Sequence, residues 1–136
     1  PDGKPEGMTA NSFGALSLDP PLIHWCIGKS AHTHDIFHGS ETFAINILRT
    51  SQRHLSNQFA TPTEDKFAGV SHTASKNGSP VLDGVVAWID CSLEQVHEAG
   101  DHYIVIGRVR ELDVLQPDQP LLFFRGSYGS FSPLSG

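Results

Sequence analysis

The chain is short of the groups that several common functions need. Its 136 residues hold nine Lys and Arg against fifteen Asp and Glu, a net charge of −6. Phosphate-backbone contacts need clustered cations, so this balance argues against nucleic acid. It argues equally against an anionic membrane surface. Only two cysteines occur, Cys26 and Cys91, and they form no Cys-x-x-Cys pair for zinc or redox work. Both sit in apolar runs and read as small buried hydrophobes in a reducing compartment, with one disulfide as the lesser alternative. No apolar stretch approaches the length of a membrane span, and no signal-peptide pattern opens the chain. The expected location is therefore cytoplasmic. No G-x-G-x-x-G, Walker lysine motif or G-x-S-x-G elbow is present. There are no internal repeats and no regular alternation of strands with helices.

What remains fits one domain over residues 1–136, long enough to bury roughly two-thirds of its unfolded surface. Pro1-Asp2-Gly3-Lys4-Pro5 reads as a hairpin turn whose first strand is absent, as in a piece lacking its natural N-terminus. Met8 to Phe13 is predicted as a strand. Leu22 to Ile27 is a nearly continuous apolar run and is predicted to be buried on both faces. Ser30 or Thr33 is placed to cap a short helix ending near His38. Thr42 to Leu48 is a further strand. Thr50 or Ser51 is placed to cap a helix from Gln52 to Ala60, with Leu55 and Phe59 on one face. Glu64 to Ala68 reads as one more turn, and Asn77-Gly78-Ser79-Pro80 as a reverse turn. Val85, Ala87, Ile89, Cys91 and Leu93 keep one phase of alternation, a strand signal. With His102 to Leu115 that strand makes a long antiparallel hairpin. Leu121 to Phe124 is a last short strand. The predicted class is mainly β, a closed or split antiparallel barrel with two or three short helices.

The stretch Gly7-Met8-Thr9-Ala10-Asn11-Ser12-Phe13-Gly14-Ala15-Leu16-Ser17 is dense in small residues and hydroxyls and uncharged. Such a run lets a flat or anionic ligand approach the backbone closely. A plain strand followed by a polar turn explains it as well. Asp19-Pro20-Pro21 ends it, because proline lacks an N–H and restricts the residue before it.

In order and spacing, this stretch with Ser17-Leu18-Asp19-Pro20-Pro21-Leu22 resembles the "G-x-T-x-x-S-F-x-S-x-S-x-x-P-P-L" segment of the flavin reductase-like, FMN-binding split-barrel family. The resemblance continues through Phe43-Ala44-Ile45-Asn46-Ile47-Leu48, Leu55 to Ala60, Asp65 to Gly69, Gly100-Asp101-His102 and Leu121 to Tyr128. It covers nearly the whole chain. That family includes reductase components of two-component flavin monooxygenases. The resemblance implies binding of FMN or FAD, reduction by NADH or NADPH, a homodimer, and a separate monooxygenase that receives reduced flavin. A non-catalytic FMN-binding or electron-carrier barrel is the alternative.

The expected cofactor residues follow from that hypothesis. Thr9, Ala10, Asn11, Ser12, Phe13 and Ser17 would serve the flavin ring edge. Lys29, Ser30, Ala31, His32 and Thr33, entering the short helix, would serve a phosphate through a cation, hydroxyls and backbone N–H groups. Asn46 lies in the matching strand, although an Asn bonded to backbone at a strand end explains it equally. Ala60 and Thr61 end a helix that borders the flavin in similar proteins. His102 is the expected catalytic residue, facing flavin and nicotinamide. Arg125 and Tyr128 fall in the family's "Y-R-G-x-Y" segment and are expected at the dinucleotide. Here Phe124 replaces the common tyrosine, so any hydroxyl contact made there is missing. Hydride transfer between two rings needs stacking geometry more than acid–base groups, so the lack of a catalytic dyad is no objection. Among the eight histidines, His34 with His38 is the best metal candidate, with His32 on a different face and Asp35 adjacent. Spacing alone is weak evidence, and no metal is expected.

Overall fold

The computed structural model describes residues 6–10, 12–29, 41–61, 65–115 and 119–134. The alternation that starts at Val85 dictates its largest feature. Strands β6 (Ala87–Ala99) and β7 (His102–Val114) form an antiparallel hairpin paired from Ala87↔Val114 to Ala99↔His102. Gly100, at φ +61°, turns the chain between them. Ahead of them run β1 (Gly14–Leu18), β2 (Pro21–Gly28) and β3 (Thr42–Ile47). These five build one antiparallel sheet in the order β1-β2-β7-β6-β3. β1 and β3 are its edges, and the ladder does not close into a barrel among the described residues. The mainly β, antiparallel class stands.

One face of the sheet carries Ile23, Trp25, Ile27, Phe43, Cys91 and Val105, all buried together. Trp25 and Phe43 meet edge to face with centroids 5.9 Å apart. Cys91 is fully buried and its thiol is pushed up to about 12, chiefly by burial, so it is no nucleophile. Both cysteines are free, as expected of small apolar side chains. β2 departs from its expectation. Ile23, Trp25 and Ile27 are buried while Leu22, His24, Cys26 and Gly28 are only half-buried. Its strong alternation in burial was masked in the sequence by the apolar residues on both faces.

The first strand also departs from expectation. The ladder starts at Gly14, not Met8. Upstream, the Ser12 hydroxyl takes the place of a backbone partner: it accepts from Cys26 N–H at 3.0 Å and lies 3.4 Å from Cys26 O.

A short 3-10 turn (Thr50–Gln52) leads into helix α1 (Arg53–Ala60), with Leu55 and Phe59 buried on its inner face as expected. Neither Thr50 nor Ser51 caps it. Gln52 Oε1 accepts from Arg49 N–H at 3.0 Å, and Gln52 N–H returns to Arg49 O at 2.9 Å. The amide reaches one residue further than a hydroxyl, and its Nε2 also donates to Asp83 O at 2.9 Å. Leu55 and Phe59 pack with Leu82 and Val85 as a second apolar cluster. The helix expected over residues 30–38 lies outside the described residues. Asp65–Ala68 makes a turn closed by Ala68 N–H to Asp65 O.

Two small hairpins were not foreseen as pairs. β4 (His72–Ala74) and β5 (Pro80–Leu82) flank the expected Asn77–Gly78 turn. β8 (Leu122–Phe124) and β9 (Ser127–Gly129) flank Arg125–Gly126. Both of those turn residues have positive φ, 52° and 78°, as a two-residue turn matching strand twist requires. Three-residue strands carry too little alternation to be read from sequence.

Candidate functional site

The tip of the β6–β7 hairpin gathers the charged candidates. Register pairs Gly28, the last residue of β2, with His102, the first of β7. Lys29 N–H donates to Asp101 O at 3.0 Å, so the end of β2 is tied to the turn. Asp101 Oδ1 lies 2.8 Å from His102 Nδ1. The His102 hydrogen bond, then its charge, holds the Asp101 carboxyl below the usual carboxylate range. The His102 ring is about half exposed. A methyl placed on Gly28 would sit 3.8 Å from His102 Nε2, so the glycine leaves bare backbone under that nitrogen.

Lys29, the expected phosphate cation, already has protein partners. Its ammonium pairs with Glu98 Oε1 at 2.9 Å and lies 5.4 Å from the centre of the Tyr103 ring. An anion arriving at Lys29 must share it with Glu98. Ser30, Ala31, His32 and Thr33 lie outside the described residues, as do the histidines of the metal candidate. Among the described residues no three metal-ligating side chains gather.

The hydroxyl-rich segment touches both β2 and helix α1. Gly14 faces His24, and the Ser12 hydroxyl meets the Cys26 backbone. Thr9 Oγ1 donates to Ser56 O of the helix at 2.5 Å. The hydroxyls of Thr9 and Ser12 are thus turned onto protein backbone. What the segment offers outward is small side chains and main chain, with Ala10 exposed and Phe13 37% exposed. Asn11 lies outside the described residues. Ser17 is half-buried, inside β1.

On the helix side, Tyr128 Oη lies 2.9 Å from Ser56 Oγ and donates to Asn57 Oδ1 at 3.1 Å. The Arg53 guanidinium stands 5.5 Å from the Tyr128 ring centre. Thr61 Oγ1 donates to Asn57 O, and Ala60 and Thr61 are exposed at the helix end. Thr9, Ser56, Asn57, Thr61 and Tyr128 therefore form one hydrogen-bonded group.

Arg125 and Asn46 make their contacts apart from both groups. Arg125 is at the exposed tip of the β8–β9 hairpin, its guanidinium 5.5 Å from the Phe124 ring. Asn46 ties β3 to β5, donating to Pro80 O at 3.1 Å and accepting from Leu82 N–H at 2.9 Å. That is the backbone-bonded role, and it uses both ends of the amide. Sequence reading missed Glu98, Asp101, Arg53, Ser56 and Asn57 as site neighbours. One signal was present: Ser56, a polar residue beside Leu55, is 5% exposed on a helix, where an unpartnered hydroxyl would be costly.

A flavin fits the chemistry of this donor set. Thr9, Ala10 and Ser12 present main chain and small side chains. Ala60 and Thr61 leave the helix end open, and Lys29 supplies a cation near the hairpin tip. The Cys91 thiol, fully buried and pushed up, offers no nucleophile here.

Comparison with known proteins agrees with this chemistry. The family described as "Flavin reductase like domain" matches residues 1–132. A flavin reductase of Pseudomonas putida is 48% identical over 134 residues, 98% of this chain and 79% of that protein. The reductase subunit of a flavin-dependent monooxygenase of Rhodococcus jostii is 43% identical over 132 residues, covering 97% and 68%. Among solved structures, the NADH:FAD oxidoreductase of Streptomyces globisporus, in complex with NAD and FAD fragments, superposes with a TM-score of 0.90 at 35% identity, covering 96% and 79%.

Proposed function

The chain belongs to the flavin reductase-like family, and from that premise we propose that it is an NAD(P)H:flavin oxidoreductase that supplies reduced FMN or FAD to a separate monooxygenase. The observation that carries this reading locally is the Gly28↔His102 register, which sets an imidazole nitrogen beside a strand position without a side chain. The flavin, when bound, supplies the hydride acceptor. The protein's own task is to hold two rings in a near-attack pose and exclude water. In this reading Thr9 to Phe13, Ser17, Ala60 and Thr61 border the flavin, and Lys29 with residues 30–33 meets its phosphate. His102 faces the nicotinamide, with Tyr128 and Arg125 on the dinucleotide side. The test is steady-state oxidation of NADH and NADPH with FMN, FAD and riboflavin added in turn. Turnover that depends on added flavin supports the reductase. Tight FMN with no turnover supports the carrier alternative instead.

The phosphate assignment has its own measurement. Lys29→Glu sets a third carboxylate beside Glu98 and Asp101. A charge-assisted hydrogen bond is worth about 1.5–3 kcal/mol. FMN affinity is expected to fall roughly tenfold or more, and riboflavin, which has no phosphate, by far less. Equal losses in the two titrations move the phosphate away from Lys29.

The fold reading is a split barrel used as a homodimer. Its support is the far half of the hairpin. Ile89 pairs with Leu112 and Ala87 with Val114, so all four share the core-facing side of the sheet. Yet Leu112 is 56% and Val114 68% exposed. Sedimentation at micromolar concentration is expected to give a dimer, and the double variant Leu112→Asp/Val114→Asp a monomer. A wild-type monomer, or a double variant that stays dimeric, counts against this surface. No helix among the described residues is long and apolar enough to cross a membrane.

A further inference from the structure

We propose that Asp101 is a positioning residue whose carboxylate holds the Nδ1–H of His102, so that the neutral ring offers a bare Nε2 above Gly28 to an amide N–H of the nicotinamide dinucleotide. The inference deepens the reading of His102 given above and rests on it for the identity of the ligand.

An ionised carboxylate has lone pairs and no proton to give. At 2.8 Å from Asp101 Oδ1, His102 Nδ1 must therefore be the donor. In a neutral imidazole the other nitrogen is then an acceptor. The fold fixes where that acceptor points. Gly100 makes the turn at positive φ, the Lys29 N–H to Asp101 O bond ties the turn to β2, and register sets His102 opposite Gly28. Nε2 then lies over the one residue in this part of β2 that lacks a side chain. The Lys29 ammonium is paired with Glu98 and acts on Asp101 less than the His102 hydrogen bond does. The Asp101 side chain is almost wholly exposed, and an exposed pair adds little to folding. Its effect lies in ring angle and tautomer, which a ligand feels and the fold does not.

The test combines spectroscopy with kinetics on the full chain. Long-range 1H–15N correlation on 15N-labelled protein, with His102 assigned by its loss in His102→Gln, reports which ring nitrogen carries the proton. Wild type is expected to show Nδ1 protonated and Nε2 bare. Asp101→Asn is expected to populate the Nε2–H form and to lower kcat/KM for NADH roughly two- to tenfold. Flavin affinity and melting temperature should stay unchanged, and Asp101→Glu should recover most of the loss. Protonated Nε2 in the wild type overturns the proposal, and so does an Asp101→Asn variant with full kcat/KM. If the wild type shows the expected tautomer but oxidises neither NADH nor NADPH, the functional reading and the ligand named here both fall. The Asp101–His102 arrangement survives that outcome.

Discussion

Replacing His102 with Ala is expected to slow reduction of bound flavin by NADH roughly ten- to a hundredfold in stopped flow, with flavin affinity held within a few-fold. The size follows from positioning contacts worth on the order of 1–3 kcal/mol in the transition state. The selectivity follows from the fold. His102 opens β7 at the hairpin tip, whereas Thr9 and Thr61, proposed at the flavin, are bonded to the backbone of helix α1. His102 bonds to Asp101. Because it orients a donor ring, its loss should change turnover and the dinucleotide KM together. A rim histidine with no role leaves both untouched. Loss of flavin binding with an unchanged reduction rate in the saturated enzyme would place His102 in the cofactor shell instead.

The second large effect is on stability. Gly107 is buried in the middle of β7, opposite Ile23 on one side and Leu93 on the other. A methyl there would come within 2.4 Å of Phe43 Cζ and 3.1 Å of Cys91 Cβ. Phe43 itself is buried edge to face against Trp25 and has little room to retreat. Overpacking of this kind typically costs about 1–3 kcal/mol. For a domain of this size that lowers the melting temperature by roughly 5–15 °C. Gly107→Ala is therefore expected to melt well below wild type, and adding Phe43→Leu should return part of the loss. A single variant within 2 °C of wild type would mean the sheet face is looser than this packing requires.

The long hairpin was legible because alternation holds from Val85 through Leu93, and the Gly100-Asp101 turn leads into a second long apolar run from Tyr103. Helix α1 was legible from Leu55 and Phe59 on one face, although its cap was not. Nothing in the order Thr50-Ser51-Gln52 says that the buried glutamine, and not a hydroxyl, will close the turn. The start of the first strand was misplaced for a related reason. Ser12 looks like a strand residue and uses its side chain where a strand uses its backbone. At the site, the sequence pointed to Thr9, Ser12, Lys29, His102 and Tyr128, but not to the groups that hold them. Most of their polar atoms are already bonded to protein, and partners such as Glu98 and Ser56 come from distant parts of the chain. Local pattern does not reveal which donor has been spoken for.

The Ser12–Cys26 contact also supplies a clock. Interior amides of the long strands exchange with solvent only when the sheet itself opens, at a cost approaching the global stability. The Cys26 amide is different, because its acceptor is one hydroxyl on the segment beside the proposed flavin site. Lifting Ser12 exposes that amide while the β2–β7 ladder stays whole. Its hydrogen-exchange rate therefore reads how often the segment leaves β2. A ligand seated on Thr9 to Phe13 should slow exchange at Cys26 before it slows exchange at any amide in β6.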